Sequence, residues 1–191
     1  LEKNVKPTLS MKWAIIKAKL FNNQTKTGSK KVISEHYQLG NDLFENMLDE
    51  YMTYSCGYWK NAKNLSEAQK AKYDLIAKKL KLEKGMRVLD IGCGWGGFSK
   101  YIAEKYQVEV VGITLSENQA AYAKNMCKDL SVDIRVLDYR DMSEKFDRIV
   151  SIGMFEHVGV KNYKKFMQVS NNCLKDDGLI SRLPVVPELN S

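Results

Sequence analysis

Asp90, two residues ahead of a run of glycines, is the side chain best placed to do chemistry in this sequence. The stretch Val88-Leu89-Asp90-Ile91-Gly92-Cys93-Gly94-Trp95-Gly96-Gly97 reads as a buried strand, Arg87 to Ile91, that runs into a glycine turn and then a helix. Such a turn lets a small molecule lie against bare backbone at the carboxyl end of a parallel strand. Gly92, Gly94 and Gly97 satisfy the dinucleotide spacing G-x-G-x-x-G, which is weak when it stands alone. Two details favour S-adenosylmethionine: the acid Asp90, and the pattern D-x-G-x-G-x-G through Gly96. A carboxylate there repels a pyrophosphate and attracts the ammonium of a methionine.

The rest of a nucleoside pocket can be followed strand by strand. Dinucleotide folds carry a ribose-binding acid about 20 residues past the glycines. Here the second strand ends Val111-Gly112-Ile113-Thr114, so no carboxylate fills that slot. The Thr114 hydroxyl and the Gln119 amide are candidates to replace it. Ser116 also caps the next helix with Gln119 at the capping-box position, and capping explains that pair as well as ligand contact does. Asp138 and Tyr139 follow the third strand. There an acid can accept the exocyclic amine of adenine and a ring can cover the base, although a plain loop aspartate reads the same way.

These residues need a scaffold. A helix is expected from Asn41 or Asp42 to about Leu48, and a longer one from a Ser66 cap to Leu80 with Ala68, Ala71, Leu75, Ile76 and Leu80 as its apolar face. Beyond Lys84-Gly85 the pattern changes. Apolar runs at 86–91, 108–113, 134–137, 149–152 and 179–180 alternate with helical patterns at 98–106, 117–129 and 163–174. Strands alternating with helices imply a parallel sheet with helices on both faces. The prolines of Arg182-Leu183-Pro184-Val185-Val186-Pro187 exclude a long central strand there, which leaves the sheet incomplete at one edge. The expected division is a basic arm and linker (1–34), a helical cover (35–84) and a cofactor-binding domain (85–191).

Composition bounds the function class. No run of about 18 apolar residues exists, so no membrane span is expected. Cys56, Cys93, Cys127 and Cys173 lack C-x-x-C spacing, which argues against a zinc site or a disulfide framework and suits a reducing cytoplasm. The net charge of +7 lies in residues 1–31, which hold eight lysines against one acid, Glu2. The remaining 160 residues balance at 22 basic and 22 acidic side chains. Within the arm Trp13, Ile16 and Leu20 recur at helical spacing, with Lys12, Lys17 and Lys19 off that stripe. An anionic membrane surface is the expected partner, each lysine contributing about 1 kcal/mol near it, although a solvated, partly disordered leader reads the same way. Nucleic acid is not expected, because aromatic rings are not interleaved with the basic side chains of the arm, which holds only Trp13 and Phe21.

The chain resembles the cyclopropane-fatty-acyl-phospholipid synthase family, which includes the mycolic acid cyclopropane synthases. The resemblance is carried by His36-Tyr37-Gln38-Leu39-Gly40-Asn41-Asp42, by Met52-Thr53-Tyr54-Ser55-Cys56-Gly57-Tyr58-Trp59 and by Leu89 through Gly97. It continues in Gly112-Ile113-Thr114-Leu115-Ser116-Glu117-Asn118-Gln119, in Asp138-Tyr139-Arg140-Asp141 and in Ser151-Ile152-Gly153-Met154-Phe155-Glu156-His157-Val158-Gly159. The Tyr-Ser-Cys and Phe-Glu-His segments are far more specific than the glycine turn. The resemblance implies an α/β, Rossmann-like class I methyltransferase fold: a doubly wound, mostly parallel sheet under an N-terminal helical cover. It also implies transfer of a methylene unit from S-adenosylmethionine to a cis double bond of a phospholipid acyl chain, at the inner face of the membrane. Tyr54, Ser55, Asp90, Gly92, Gly94, Gly96, Thr114, Leu115, Gln119, Asp138 and Tyr139 map to the cofactor site. Cys56 and Glu156 map to the holding of a bicarbonate ion that removes a proton after methyl transfer. A second copy of the chain is left open as a partner. Other S-adenosylmethionine-dependent methyltransferases of small molecules, and a non-catalytic binding module, are the rival readings.

Chemistry adds an expectation of its own. An isolated alkene is a weak nucleophile, so it needs a desolvated methyl donor and walls that tolerate a carbocation. Tyr37, Tyr54, Tyr58, Trp59 and Phe155 are candidate walls, through the negative faces of their rings. Ser181-Arg182-Leu183-Pro184 stands where the family has His-Thr-Ile-Gly. The resemblance therefore implies that the bicarbonate-binding histidine and a later tyrosine are missing, and that this chain binds S-adenosylmethionine without full synthase activity.

Overall fold

The structure, a computed structural model, describes residues 41–183. The basic arm, the linker, Tyr37 and the segment after Leu183 lie outside the described residues. The elements run α1 (Asn41–Met47), α2 (Leu65–Leu80), β1 (Arg87–Ile91), α3 (Gly97–Tyr106), β2 (Glu109–Thr114), α4 (Glu117–Met126), β3 (Val132–Val136), β4 (Phe146–Ile152), α5 (Tyr163–Cys173) and β5 (Leu174–Leu183). Single 3-10 turns occupy Tyr139–Asp141, Phe155–His157 and Val160–Asn162.

The five strands form one parallel sheet in the order β3-β2-β1-β4-β5. The chain winds outward from β1 in one direction and then restarts beside β1 in the other. Strand order therefore reverses between β1 and β4, which opens a crevice beyond the carboxyl ends of the strands. The alternation of side chains along each strand splits the core in two. Val88, Val110 and Val150 pack under α2 and α3 with Tyr73, Ile76, Leu80, Phe98 and Ile102. Leu89, Ile91, Val111, Ile113 and Ile149 face the other way, onto Phe166, Val169 and Cys173 of α5. Asp90 shares the parity of Val88, so it emerges on the α3 side. The edge strand β3 alternates Val132, Ile134 and Val136 with Asp133 and Arg135, and Glu144 pairs with both Arg135 and Arg87. These charges blunt an exposed edge.

The long helix departs from expectation in two ways. Its cap is Asn64: the side-chain carbonyl accepts from the Glu67 amide at 2.9 Å, while Glu67 accepts from the Lys63 amide at 2.8 Å. Ser66 instead lies inside α2 and donates its hydroxyl to Glu50 at 2.7 Å. The inward face is also rotated. Gln69, Lys72, Tyr73 and Ala77 are buried beside Ala68, Ile76 and Leu80, whereas Ala71 and Leu75 are half-buried. Through Tyr73, Ile76 and Leu80, α2 packs on the sheet beside α3.

β5 is longer than the apolar pair 179–180 suggested. Leu174 pairs with Phe146, the register then slips, and Leu179 pairs with Arg148. Lys175-Asp176-Asp177-Gly178 is the extra length that the slip accommodates. It hides the strand from a reading of hydrophobic pattern.

Candidate functional site

A cavity of about 480 Å³ opens at the carboxyl ends of the strands, at the point where strand order reverses. The glycine turn after β1, Gly92 to Gly94, forms its floor. Ile113, Thr114, Leu115 and Gln119 contribute from β2 and α4, Leu137 to Arg140 from the loop after β3, and Ile152 to Met154 from the end of β4. Its roof is the segment Met52 to Ser55, with Phe44 of α1.

The turn is shaped by its crowding. Gly92 has φ +82° and Gly96 φ +86°, the left-handed region that glycine enters without strain. A Cβ on Gly97 would lie 1.9 Å from the Tyr51 carbonyl oxygen, so the roof segment rests on bare backbone. Gly94 is the contrast: with φ +55°, a Cβ there would meet no heavy atom within 4 Å. Its open side lines the cavity, where a ligand can approach the backbone.

Asp90 is 2% exposed. Ser99 donates to one of its oxygens at 2.8 Å, and no described cation stands beside it. Burial pushes its carboxyl up to about 7, against which the Ser99 bond pulls only partly. A buried carboxylate without a counter-ion, lining a cavity, fits a ligand that brings its own positive charge.

On the nucleoside side, Thr114 donates to the Gln119 side-chain carbonyl at 3.0 Å, and the Ser116 amide donates to Thr114 at 3.2 Å. Ser116 caps α4 through the Gln119 amide at 3.3 Å. Capping and cavity lining thus coexist: the Gln119 carbonyl is spent on Thr114, while its NH2 group makes no bond to a described residue. Asp138 is buried, and Arg140 donates to both of its oxygens, at 2.8 Å from Nε and 2.6 Å from a terminal nitrogen. Tyr139 packs on Phe166 with ring centroids 5.3 Å apart.

The roof is tied down by side chains that sequence reasoning did not single out. Trp95 donates its indole N–H to Asn41 at 3.1 Å, and Phe44 lies 4.7 Å from the Trp95 ring. Thr53 and Tyr73 share a hydroxyl contact at 2.6 Å. Lys72, 3% exposed, donates to Ser55 Oγ at 2.8 Å and to the Gln69 side-chain carbonyl at 2.6 Å. Burial brings its ammonium down to about 8. Pattern gives no signal for this pair: the same helix carries Glu67, Lys70, Asp74, Lys78 and Lys79, among which Gln69 and Lys72 read as surface positions.

Of the expected cofactor residues, Tyr54, Ser55, Asp90, Gly92, Gly94, Thr114, Leu115, Gln119, Asp138 and Tyr139 all line this one cavity. Gly96 lies behind the floor, where its amide donates to the Cys93 carbonyl at 2.9 Å. Cys56 and Glu156 are not on the cavity wall: Cys56 is half-buried and Glu156 is exposed on a 3-10 turn. Among the candidate aromatic walls, Tyr54 lines the cavity, while Tyr58 and Trp59 are exposed outside it. Phe155 stacks on Tyr163 at 4.4 Å, with Arg182 over its face at 4.7 Å, and does not reach the cavity. No cluster of metal-ligating side chains occurs among the described residues.

The chain is similar to proteins of known family. Residues 24–186 match the family model described as "Mycolic acid cyclopropane synthetase". The cyclopropane-fatty-acyl-phospholipid synthase of Escherichia coli K12 is 55% identical over 162 residues, covering 85% of this chain and 42% of that protein. Cyclopropane mycolic acid synthase 3 of Mycobacterium tuberculosis (strain CDC 1551 / Oshkosh) is 46% identical over 151 residues, covering 76% of this chain and 53% of that protein. The crystal structure of mycolic acid cyclopropane synthase CmaA1 complexed with SAH and CTAB superposes with a TM-score of 0.77 at 40% identity, covering 80% of this chain and 55% of that one. The chain thus spans about half the length of the relatives it matches. The sheet order and these likenesses make the fold a Rossmann-like class I methyltransferase fold. With the family model covering most of its length, the chain belongs to the mycolic acid cyclopropane synthetase family.

Proposed function

We propose that the chain binds S-adenosylmethionine in this cavity and directs its one-carbon unit to a cis double bond of a phospholipid acyl chain, as the first step to a cyclopropane fatty acid. The observation that carries the reading is Asp90, a buried carboxylate without a counter-cation beside the open face of Gly94. S-adenosylmethionine supplies a methyl group on a positively charged sulfur. Asp90 holds the ammonium of its methionine end. Gly94 leaves room against the backbone, and Gln119, Asp138 and Tyr139 serve the nucleoside. Phe44, Met52, Ile152 and Met154 line the cavity with apolar surface that excludes water, which an unactivated alkene requires.

Two finer readings go with it. Bicarbonate held by Cys56 and Glu156 rests on the family resemblance alone, since neither lines the cavity. Attachment to an anionic inner membrane face rests on the +7 arm and on exposed Leu43, Met47, Tyr54, Tyr58 and Trp59 around the roof. No described helix is long and apolar enough to cross a membrane.

The test is a substrate panel with methyl-labelled S-adenosylmethionine, run beside titration calorimetry. Heat of binding and label in cis-unsaturated phospholipid support the reading. Absence of heat, or label only in small amines, refutes it.

A further inference from the structure

Lys72 is a buried cation without an ion pair. Its ammonium donates to two neutral acceptors, Ser55 Oγ and the Gln69 carbonyl, and makes no salt bridge with any described residue. The titratable groups near enough to favour its charge are Cys56 and Asp49. Asp49 spends one oxygen on the Thr53 amide at 2.8 Å and leaves the other buried without a partner. Burying an ammonium this way is costly unless an anion completes the site.

The geometry shows where that anion belongs. Gln69, 1% exposed, donates to the Ser55 carbonyl at 2.8 Å, so one turn of α2 grips Ser55 at both its hydroxyl and its backbone. A serine oxygen that accepts from an ammonium keeps its own proton for another acceptor. Ser55 lines the cavity, so that acceptor lies inside it. Asp90 lines the same cavity, as do Thr53 and Tyr73, whose hydroxyls meet at 2.6 Å. The ammonium and carboxylate of an amino acid share one carbon, so a ligand that places its ammonium at Asp90 has its carboxylate within a few ångströms.

Resting on the reading of this cavity as an S-adenosylmethionine site, we propose that Lys72, acting through the Ser55 hydroxyl, is a positioning residue for the carboxylate of the methionine moiety. Asp90 then meets the ammonium of the zwitterion directly, while Lys72, behind Ser55, aligns the hydroxyl that meets its carboxylate.

Calorimetry with S-adenosylhomocysteine and with its decarboxylated analogue tests this. Lys72→Met and Ser55→Ala are each expected to weaken S-adenosylhomocysteine by on the order of tenfold, the cost of one hydrogen bond to a charged group. Both should leave the decarboxylated analogue within about twofold of wild type, a split that a purely structural lysine would not produce. Should Lys72→Met fail to fold, the half-buried Ser55→Ala carries the same comparison. Equal losses for both ligands, or none for either, overturn the assignment. A wild-type protein that binds neither ligand refutes the parent reading instead, and the assignment falls with it.

Discussion

Asp90→Asn should stabilise this protein while disabling its cavity. The buried carboxyl titrates at about 7 against an ordinary value of 3.8. Its folded-state value is raised, so the folded protein holds a proton there that the unfolded chain has lost. Wild-type stability therefore falls as pH rises from about 4, and the penalty is complete above pH 7. A shift of this size corresponds to about 4 kcal/mol at pH 8 and about 2 kcal/mol at pH 5. Asparagine carries no charge and can still accept from Ser99, so it escapes the penalty at every pH. Urea unfolding of both proteins at pH 5, 6, 7 and 8 should show the variant more stable, with a gap that widens to pH 7 and then levels off. In calorimetry at pH 8 the same variant should bind S-adenosylhomocysteine at least about tenfold more weakly, having lost a charge-assisted bond. A gap that stays flat across this range, or that favours wild type at pH 8, would refute the assignment of Asp90 as an uncompensated buried charge.

The neighbouring glycines should respond in opposite ways. Gly97→Ala places a methyl group against the Tyr51 carbonyl and should cost about 2 kcal/mol or more in urea unfolding, with the roof displaced. Gly94→Ala meets no protein atom, so it should cost only about 1 kcal/mol for its left-handed backbone, yet weaken S-adenosylhomocysteine in calorimetry by obstructing the floor. Phe166→Ala removes a fully buried ring that supports Tyr139 and Phe155. It should cost about 3–5 kcal/mol by urea unfolding.

The parts of the fold that local chemistry dictates could be read from the sequence. The strand that carries Asp90, its glycine turn and the Ser116 cap of α4 each depend on a few adjacent residues. Eight of the eleven expected cofactor residues reach one cavity for the same reason: in a parallel sheet, the residues at and just after the ends of successive strands arrive at the same edge, while Tyr54 and Ser55 reach it from the roof. What pattern did not reveal depends on contacts far apart in sequence. Lys72 and Gln69 look like ordinary helix-surface residues until the roof segment, 14 to 17 positions away, is laid over them. Asn64 rather than Ser66 caps α2, and the Ser66 hydroxyl goes to Glu50, 16 positions back in the chain. The charged insertion in β5 breaks the apolar run that marks a buried strand, so hydrophobic pattern shows only part of its length.

The indole of Trp95 and the amide of Asn41 join two pieces of chain that otherwise meet only by packing. A small molecule that orders the glycine turn should therefore steady the first helix, and loosening that helix should slacken the turn in return. Occupancy and the stiffness of the entrance thus become one quantity. Amide exchange in residues 41–47 should slow as the crevice fills, turning this helix into a built-in gauge of loading.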